Sequence, residues 1–396
     1  MNALDLSALT PARLRARRTI KWNAYAPEVL PLWVAEMDYP TAPPITAALR
    51  RAVDSETFGY PLSARDSGLA EALVGWLADR HGWQVAPDRV FAIADVLTGV
   101  SLAVETFSGP EEAVVIPTPA YMPFFSVVEL TGRPQVHVPM VLEDDRWTLD
   151  LDGIDRAFAH GAHTLILCNP HNPLGRVHSR RELLALADVV TRHGGRVISD
   201  EIHAPLVLEG RHLPYASLTD ATAAHTVTVL SASKAWNLPG LKCAQVVTSN
   251  AADTKAWQAI PLWKTIGVST MGIEANIAAY REGSEWLSEV TALLERHRAL
   301  VAGAVERLPG VTHRHNEGTY LAWLDFTELG LDVEPADWLL AEAKVALSPG
   351  VPFGVEPLRF ARLNFGTTTA ILEEALSRIA VAVASRAVGS RAVGSP

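Results

Sequence analysis

The feature that most constrains the fold is a set of five short β-rich runs in the middle of the chain: Ala113–Ile116, Thr164–Leu167, Arg196–Ser199, Thr226–Leu230 and Gln245–Thr248. They are largely continuous in apolar character rather than alternating, as expected of strands buried on both faces. Helical patterns lie between several of them. The clearest spans Arg180–Arg192, with Leu183, Leu184, Ala187 and Val190 at helical spacing and Gly194-Gly195 as its stop. Strand, helix and strand at this spacing predict crossover units, hence an α/β fold with a mostly parallel central sheet flanked by helices.

The C-terminal third reads differently. A long helical pattern from about Gly272 to Leu308 carries Trp286, Leu287, Leu293 and Leu294. It is followed by Tyr320–Phe326, a helix around Pro335–Ala346, a turn-rich stretch from Ser348 to Gly354, a strand near Arg359–Asn364 and a final helix. The mixture predicts a smaller α+β domain. The expected division is residues 1–45 joining the small domain, 46–282 as the large domain and 283–384 as the small one. A tandem Ser-Arg-Ala-Val-Gly pair closes the chain, and residues 385–396 are expected to be a frayed or disordered tail.

Composition excludes several classes. Against 44 Asp and Glu there are 34 Lys and Arg, a formal net charge of −10, which argues against a nucleic-acid footprint. Only two cysteines occur, Cys168 and Cys243, without CxxC spacing, so neither a disulfide scaffold nor a cysteine-rich metal site is expected. The N-terminal residues lack a signal-peptide apolar core, and no run reaches the roughly 18 apolar residues of a membrane helix. The expectation is a cytoplasmic globular protein with no membrane or nucleic-acid partner.

Chemistry concentrates where the apolar runs stop. The run ending at Leu230 continues as Ser231-Ala-Ser233-Lys234. A lysine at a strand's carboxyl end points into the crevice where α/β sheets bind ligands, and desolvation there favours the neutral amine that forms Schiff bases. Taken alone, a solvated loop lysine explains it more readily. The run Arg196–Ser199 leads into Asp200-Glu201-Ile202-His203. A buried Asp200 needs a cationic partner, which a protonated pyridine nitrogen or an ordinary Arg or Lys supplies equally well. The third strand end is Leu167-Cys-Asn-Pro-His-Asn172-Pro-Leu-Gly175, whose Asn172 amide suits a phenolic oxygen, although an Asn-Pro pair alone is common turn chemistry. Three such ends within about 60 residues are harder to dismiss.

NPHNPLG, SDEIH and SxSK, in this order and spacing, resemble the fold type I pyridoxal-5′-phosphate enzymes, the aspartate aminotransferase superfamily. The segments Pro31-Leu-Trp-Val-Ala-Glu36-Met-Asp38-Tyr-Pro40, Thr57-Phe-Gly-Tyr60-Pro61, Thr118-Pro-Ala-Tyr121 and Arg362-Leu-Asn-Phe-Gly366 resemble the PatB/MalY-type C–S lyases within it. The resemblance runs from about residue 18 to residue 383.

The resemblance implies pyridoxal 5′-phosphate as cofactor and assigns the residues as follows. Lys234 is the Schiff-base lysine, Asp200 the partner of the pyridine nitrogen, Asn172 the partner of the ring's 3′-oxygen, and Tyr121 the stacking aromatic. His203 stands where many aminotransferases carry tyrosine, and DEIH is the lyase-branch pattern. Arg362 matches the arginine that clamps the substrate α-carboxylate. Val96 and Leu97 N–H, Ser231, Ser233 and Lys242 are the implied phosphate ligands. Two positions depart from the pattern: Asp95 replaces a usual glycine and must turn away from the phosphate or pair with a cation, and Leu174 replaces a usual threonine. Tyr60 is implied to reach the neighbouring site of a homodimer, against a local packing role. Asp38 is a further candidate for substrate contact. Glu36, Tyr39 and the turn near Pro349–Gly354 are candidate pocket walls.

The implied activity is α,β-elimination from cystathionine or related cysteine S-conjugates, giving a thiol, pyruvate and ammonia. An aminotransferase acting on an amino acid and a keto acid uses the same lysine, aspartate and arginine and stays open as the alternative. A non-catalytic regulator built on this fold usually carries an added DNA-binding domain. Only about 20 residues precede the resemblance, fewer than such a domain needs, and the acidic balance opposes DNA binding.

Overall fold

The computed structural model of the chain describes residue 6, residues 8–355 and residues 359–393. All five expected runs are strands: Ala113–Thr118, Ala162–Cys168, Arg196–Asp200, Thr226–Leu230 and Ala244–Thr248. Val90–Ile93 and Gln135–Pro139 complete a seven-stranded sheet as its two edges. Their half-covered faces explain why no continuous apolar run announces them. The order across the sheet is 90–93, 244–248, 226–230, 196–200, 162–168, 113–118 and 135–139. Neighbours are parallel except that Ala244–Thr248 runs antiparallel to both of its partners.

Two helices show how the local sequence sets the frame. Arg180–Arg192 begins at a Ser179/Glu182 capping box and gives way to Gly194, which takes a left-handed φ of 60°. Val96–Phe107 lies so close to the sheet that a Cβ on Gly99 would collide with the Val229 side chain. That close approach fixes where the helix N-terminus stands.

A second, antiparallel sheet has the order Thr312–His313, Leu321–Asp325, Phe360–Asn364 and Ser348–Pro349. Near it, Leu30–Pro31 pairs in parallel with Val345–Ala346, bringing the N-terminal segment to the C-terminal one. Three details differ from the sequence reading. The pattern from Gly272 to Leu308 is two helices, Thr270–Glu282 and Ser284–Val305. The break is Gly283, whose carbonyl accepts the Trp236 Nε1–H at 3.0 Å and whose Cα leaves no room for a Cβ beside that indole. The helix Pro335–Ala343 stops early because Lys344 is left-handed (φ 54°) and Val345–Ala346 leaves to pair as a strand. The last helix, Thr369–Val393, includes most of the segment expected to fray. Arg386 ties it down by donating to the Leu329 and Gly330 carbonyls, at 3.1 and 2.8 Å. Residues 394–396 of that expected tail lie outside the described residues. Among the described residues no helix is long and apolar enough to cross a membrane.

The segment Trp33–Asp38 is anchored carbonyl by carbonyl. Trp33 O accepts from Arg362 Nη2 and Ser348 Oγ, and Val34 O from Asn364 Nδ2. Ala35 O accepts from Lys234 Nζ and Tyr320 Oη, Glu36 O from Lys21 Nζ and Asn364 Nδ2. Met37 O accepts from Asn237 Nδ2 and Asp38 O from Arg17 Nη1. Asp38 itself departs from expectation. Its side chain is buried in an ion pair with Lys21 Nζ at 3.0 Å and accepts the Trp22 Nε1–H at 2.7 Å, so its charge secures the strap instead of meeting substrate. Replacing Lys21 by Met strands that carboxylate. The Lys21→Met variant is expected to lose about 3–5 kcal/mol of unfolding free energy in a denaturant titration, and Lys21→Met/Asp38→Leu to recover part of it. Wild-type stability in the single variant would show that the pair holds nothing.

Candidate active site

The carboxyl ends of strands 90–93, 113–118, 162–168, 196–200 and 226–230 open on one edge of the large sheet, the position at which such sheets bind ligands. A cavity of about 190 Å³ lies there. Each strand end contributes to it: Asp95, Val96 and Leu97 from the first, Tyr121 from the second, Asn172 from the third, Asp200 and His203 from the fourth, and Ser231, Ser233 and Lys234 from the fifth. Lys242 and Ala35 close the wall, and both cysteines, Cys168 and Cys243, border the cavity as free thiols. The residues implied for the cofactor thus stand together, apart from Tyr60.

Asp200 is buried at its strand tip, with the Ile202 N–H donating to Oδ1 at 3.0 Å. Burial pushes its carboxyl up to about 7, and that hydrogen bond only partly offsets the shift. Among the described residues no cation lies within ion-pair distance of it, which removes the ordinary salt bridge as an explanation. Behind it, Glu201 is held by Ser199 Oγ, the Tyr215 N–H and His212 Nε2, at 2.9, 3.0 and 2.8 Å.

Lys234 borders the cavity yet is enclosed enough that burial, then the charge of Arg362, lowers its amine to about 8. Its Nζ donates to Ala35 O at 2.9 Å, and Tyr320 Oη donates to the same oxygen at 3.0 Å. His203 is lowered to about 3, mainly by burial and further by Lys234 and Arg362, so its ring is neutral. Its Nδ1 has no hydrogen-bond partner among the described residues.

Arg362 is buried on the Phe360–Asn364 strand, over the ring of Phe353 at 4.9 Å. It donates to Asn172 Oδ1 at 2.8 Å, Trp33 O at 3.0 Å and Ser348 Oγ at 3.1 Å, while its Nε–H has no partner among the described residues. With its oxygen taken by Arg362, the Asn172 amide has only N–H donors left to offer. Such a donor meets a phenolic oxygen, and an unpaired buried guanidinium N–H meets a carboxylate.

At the other end, the helix Val96–Phe107 presents its first N–H groups. Ser231 Oγ donates to Cys243 O at 2.7 Å and accepts from the Ser233 N–H at 3.0 Å, so it shapes the loop that carries Ser233 and Lys234. Lys242 Nζ pairs with Asp95 Oδ2 at 2.7 Å, which answers how that carboxylate is accommodated. An anion site, an uncompensated buried carboxylate, an amide donor and a poised lysine together fit a flat, phosphorylated pyridine cofactor.

Tyr60 does not reach this cavity. It is 90% exposed, beside the exposed Phe58 and Leu62. Glu36, Asp38, Tyr39 and Pro349–Gly354 do not border the cavity either, although Phe353 supports Arg362 from beneath. Sequence reasoning missed Ala35, Tyr320, Ser348, Asn237 and Asn364. Ala35 acts through a carbonyl, which leaves no side-chain signal. Asn237 was readable in part, because asparagine tolerates the left-handed φ of 58° that aims it at Met37.

A family profile described as aminotransferase class I and II matches residues 27–379. The cystathionine beta-lyase of Corynebacterium glutamicum is 43% identical over 367 residues, 93% of this chain and 97% of that one. Cystathionine beta-lyase PatB of Bacillus subtilis is 35% identical over 376 residues, 92% of this chain and 97% of that one. A crystal structure whose description reads "putative plp-dependent beta-cystathionase", from Corynebacterium diphtheriae, matches with a TM-score of 0.91 at 39% identity, covering 95% of this chain and 98% of that one. The chain belongs to the class I and II aminotransferase family.

The raised Asp200 carboxyl has a measurable consequence. Its folded value of about 7 lies above the ordinary 3.8, so the stability it contributes is complete below 3.8 and is lost as pH rises through 7. Between pH 5 and 8 the cofactor-free wild type is expected to lose roughly 2–3 kcal/mol relative to Asp200→Asn. Parallel pH profiles for the two proteins would contradict this.

Proposed function

We propose that this member of the family is a pyridoxal-phosphate-dependent carbon–sulfur β-lyase. It cleaves cystathionine or related cysteine S-conjugates to a thiol, pyruvate and ammonia. The observation that carries the reading is the meeting of Lys234, Asp200 and Asn172 at one crevice, with Arg362 hydrogen-bonded behind Asn172, in a chain whose relatives at 43% and 35% identity are named cystathionine beta-lyases.

Val96 and Leu97 N–H, Ser233 and Lys242 would take the phosphate, and Tyr121 the ring face. Asn172 and His203 would donate to the phenolic oxygen, and Asp200 would pair with the protonated ring nitrogen. Bound there, the cofactor supplies a carbonyl carbon that condenses with amines and a ring that accepts the electrons released at the substrate α-carbon. Arg362 holds the α-carboxylate; its position is already set by Trp33 O and Ser348 Oγ. Lys234 Nζ removes the α-proton. An amine near 8 has a substantial neutral fraction at physiological pH, as a general base requires. By taking that proton, Lys234 prepares loss of the thiolate from the β-carbon.

The reading includes a homodimer in the cytoplasm. Tyr60, Leu62, Leu262 and Ile266 border one surface groove, and all four are exposed apolar or aromatic side chains, a face suited to a second copy whose site Tyr60 enters.

Purified protein loaded with pyridoxal 5′-phosphate is expected to release pyruvate and homocysteine from cystathionine with no keto acid present. Lys234→Ala is expected to lower the rate by about 10³-fold or more. Turnover that strictly requires an added keto acid would establish the aminotransferase instead. Mixing Tyr60→Phe with Lys234→Ala copies tests the dimer: hybrids hold one intact site and are expected to regain activity that neither parent has. Failure of complementation in verified hybrids would place Tyr60 outside the neighbouring site.

A further inference from the structure

The phosphate end of the cavity holds an anion belonging to the chain itself. Asp95 caps the helix Val96–Phe107, with Oδ1 accepting from both the N–H and the hydroxyl of Thr98 at 2.9 Å. Its Oδ2 accepts from Lys242 Nζ at 2.7 Å. The carboxylate therefore takes the Thr98 N–H of the helix's first turn, next to the Val96 and Leu97 N–H groups, and the nearby cation Lys242, which the phosphate would also use. The backbone of Lys242 is held in place. It is left-handed (φ 49°) after the Pro239–Leu241 turn, and its carbonyl accepts the Ser269 N–H at 2.9 Å. Asp95 is 35% exposed and Lys242 57% exposed on their side chains, so the ion pair is partly solvated and opens at small cost.

We propose that Asp95 is a stand-in anion: it competes with the cofactor phosphate for Lys242 and the helix N-terminus, weakening retention of the phosphorylated cofactor while stabilising the cofactor-free chain. The inference rests on the reading that this cavity takes pyridoxal 5′-phosphate. When the phosphate is held by Val96 and Leu97 N–H, Asp95 stands beside a second anion, and Lys242 serves two negative groups instead of one. A carboxylate a few ångströms from a phosphate opposes its binding even where water screens the pair. A capping role alone does not require the charge, because asparagine and serine cap helices as well as aspartate does.

That equivalence gives the test. Wild type, Asp95→Asn and Asp95→Ser are stripped of cofactor and titrated with pyridoxal 5′-phosphate and, separately, with pyridoxal, following cofactor absorbance. Both variants are expected to bind pyridoxal 5′-phosphate about tenfold more tightly than wild type and pyridoxal equally well. Their cofactor-free forms are expected to melt at lower temperature. Unchanged or weaker binding of pyridoxal 5′-phosphate, or equal tightening for pyridoxal, would overturn the competition. If none of the three proteins binds either compound, the cofactor reading itself fails, a result distinct from equal affinities.

Discussion

Six consecutive carbonyls, from Trp33 to Asp38, are each held by a side chain from elsewhere in the chain, and the site depends on that strap. The donors come from the N-terminal helices, the loop after the lysine and the small antiparallel sheet. A strap secured this way cannot slide by one residue without breaking all six sets of contacts. Its register therefore fixes Ala35 O, and Ala35 O fixes the resting place of the Lys234 amine. Trp33 O does the same for Arg362. Lys234 follows a strand of the large sheet and Arg362 lies on the small one, yet their spacing is set by two residues of one short segment.

The electrostatics of the crevice are deliberately incomplete as protein chemistry. Among the described residues Asp200 is a buried carboxylate without a paired cation, Arg362 keeps an unpaired Nε–H, and His203 keeps an unpaired Nδ1. Each costs folding free energy in the free chain, and on the proposed function each would be answered by a group that cofactor or substrate brings. Lys234 gains from the same arrangement, since the burial that penalises Asp200 also lowers the amine toward neutrality. The site is thus assembled from unmet demands, and filling it stabilises the fold by linkage.

Much of this was readable from residues. The interior strands declared themselves because burial on both faces demands unbroken apolar runs, and the strand ends exposed Asn172, Asp200 and Lys234 in order. The edge strands Val90–Ile93 and Gln135–Pro139 did not, because one face of each meets less protein. The break at Gly283 was hidden for another reason: its cause is a tertiary contact with Trp236, which leaves helical periodicity intact on both sides. Asp38 was misjudged because motif position says nothing about whether a carboxylate faces a cavity or a buried lysine. Ala35 and Tyr320 were invisible, since a carbonyl acceptor has no side-chain signature and Tyr320 lies far from the motifs in sequence.

The two cysteines on the cavity wall have a consequence for an enzyme that liberates thiols. Disulfide exchange proceeds through thiolate, and burial pushes the Cys243 thiol up to about 12 and Cys168 well above its ordinary value. At neutral pH both sulfurs are chemical bystanders. A disulfide formed from a released thiol meets walls too weakly ionised to attack it, so the crevice can handle sulfur turnover after turnover without being capped by mixed disulfides.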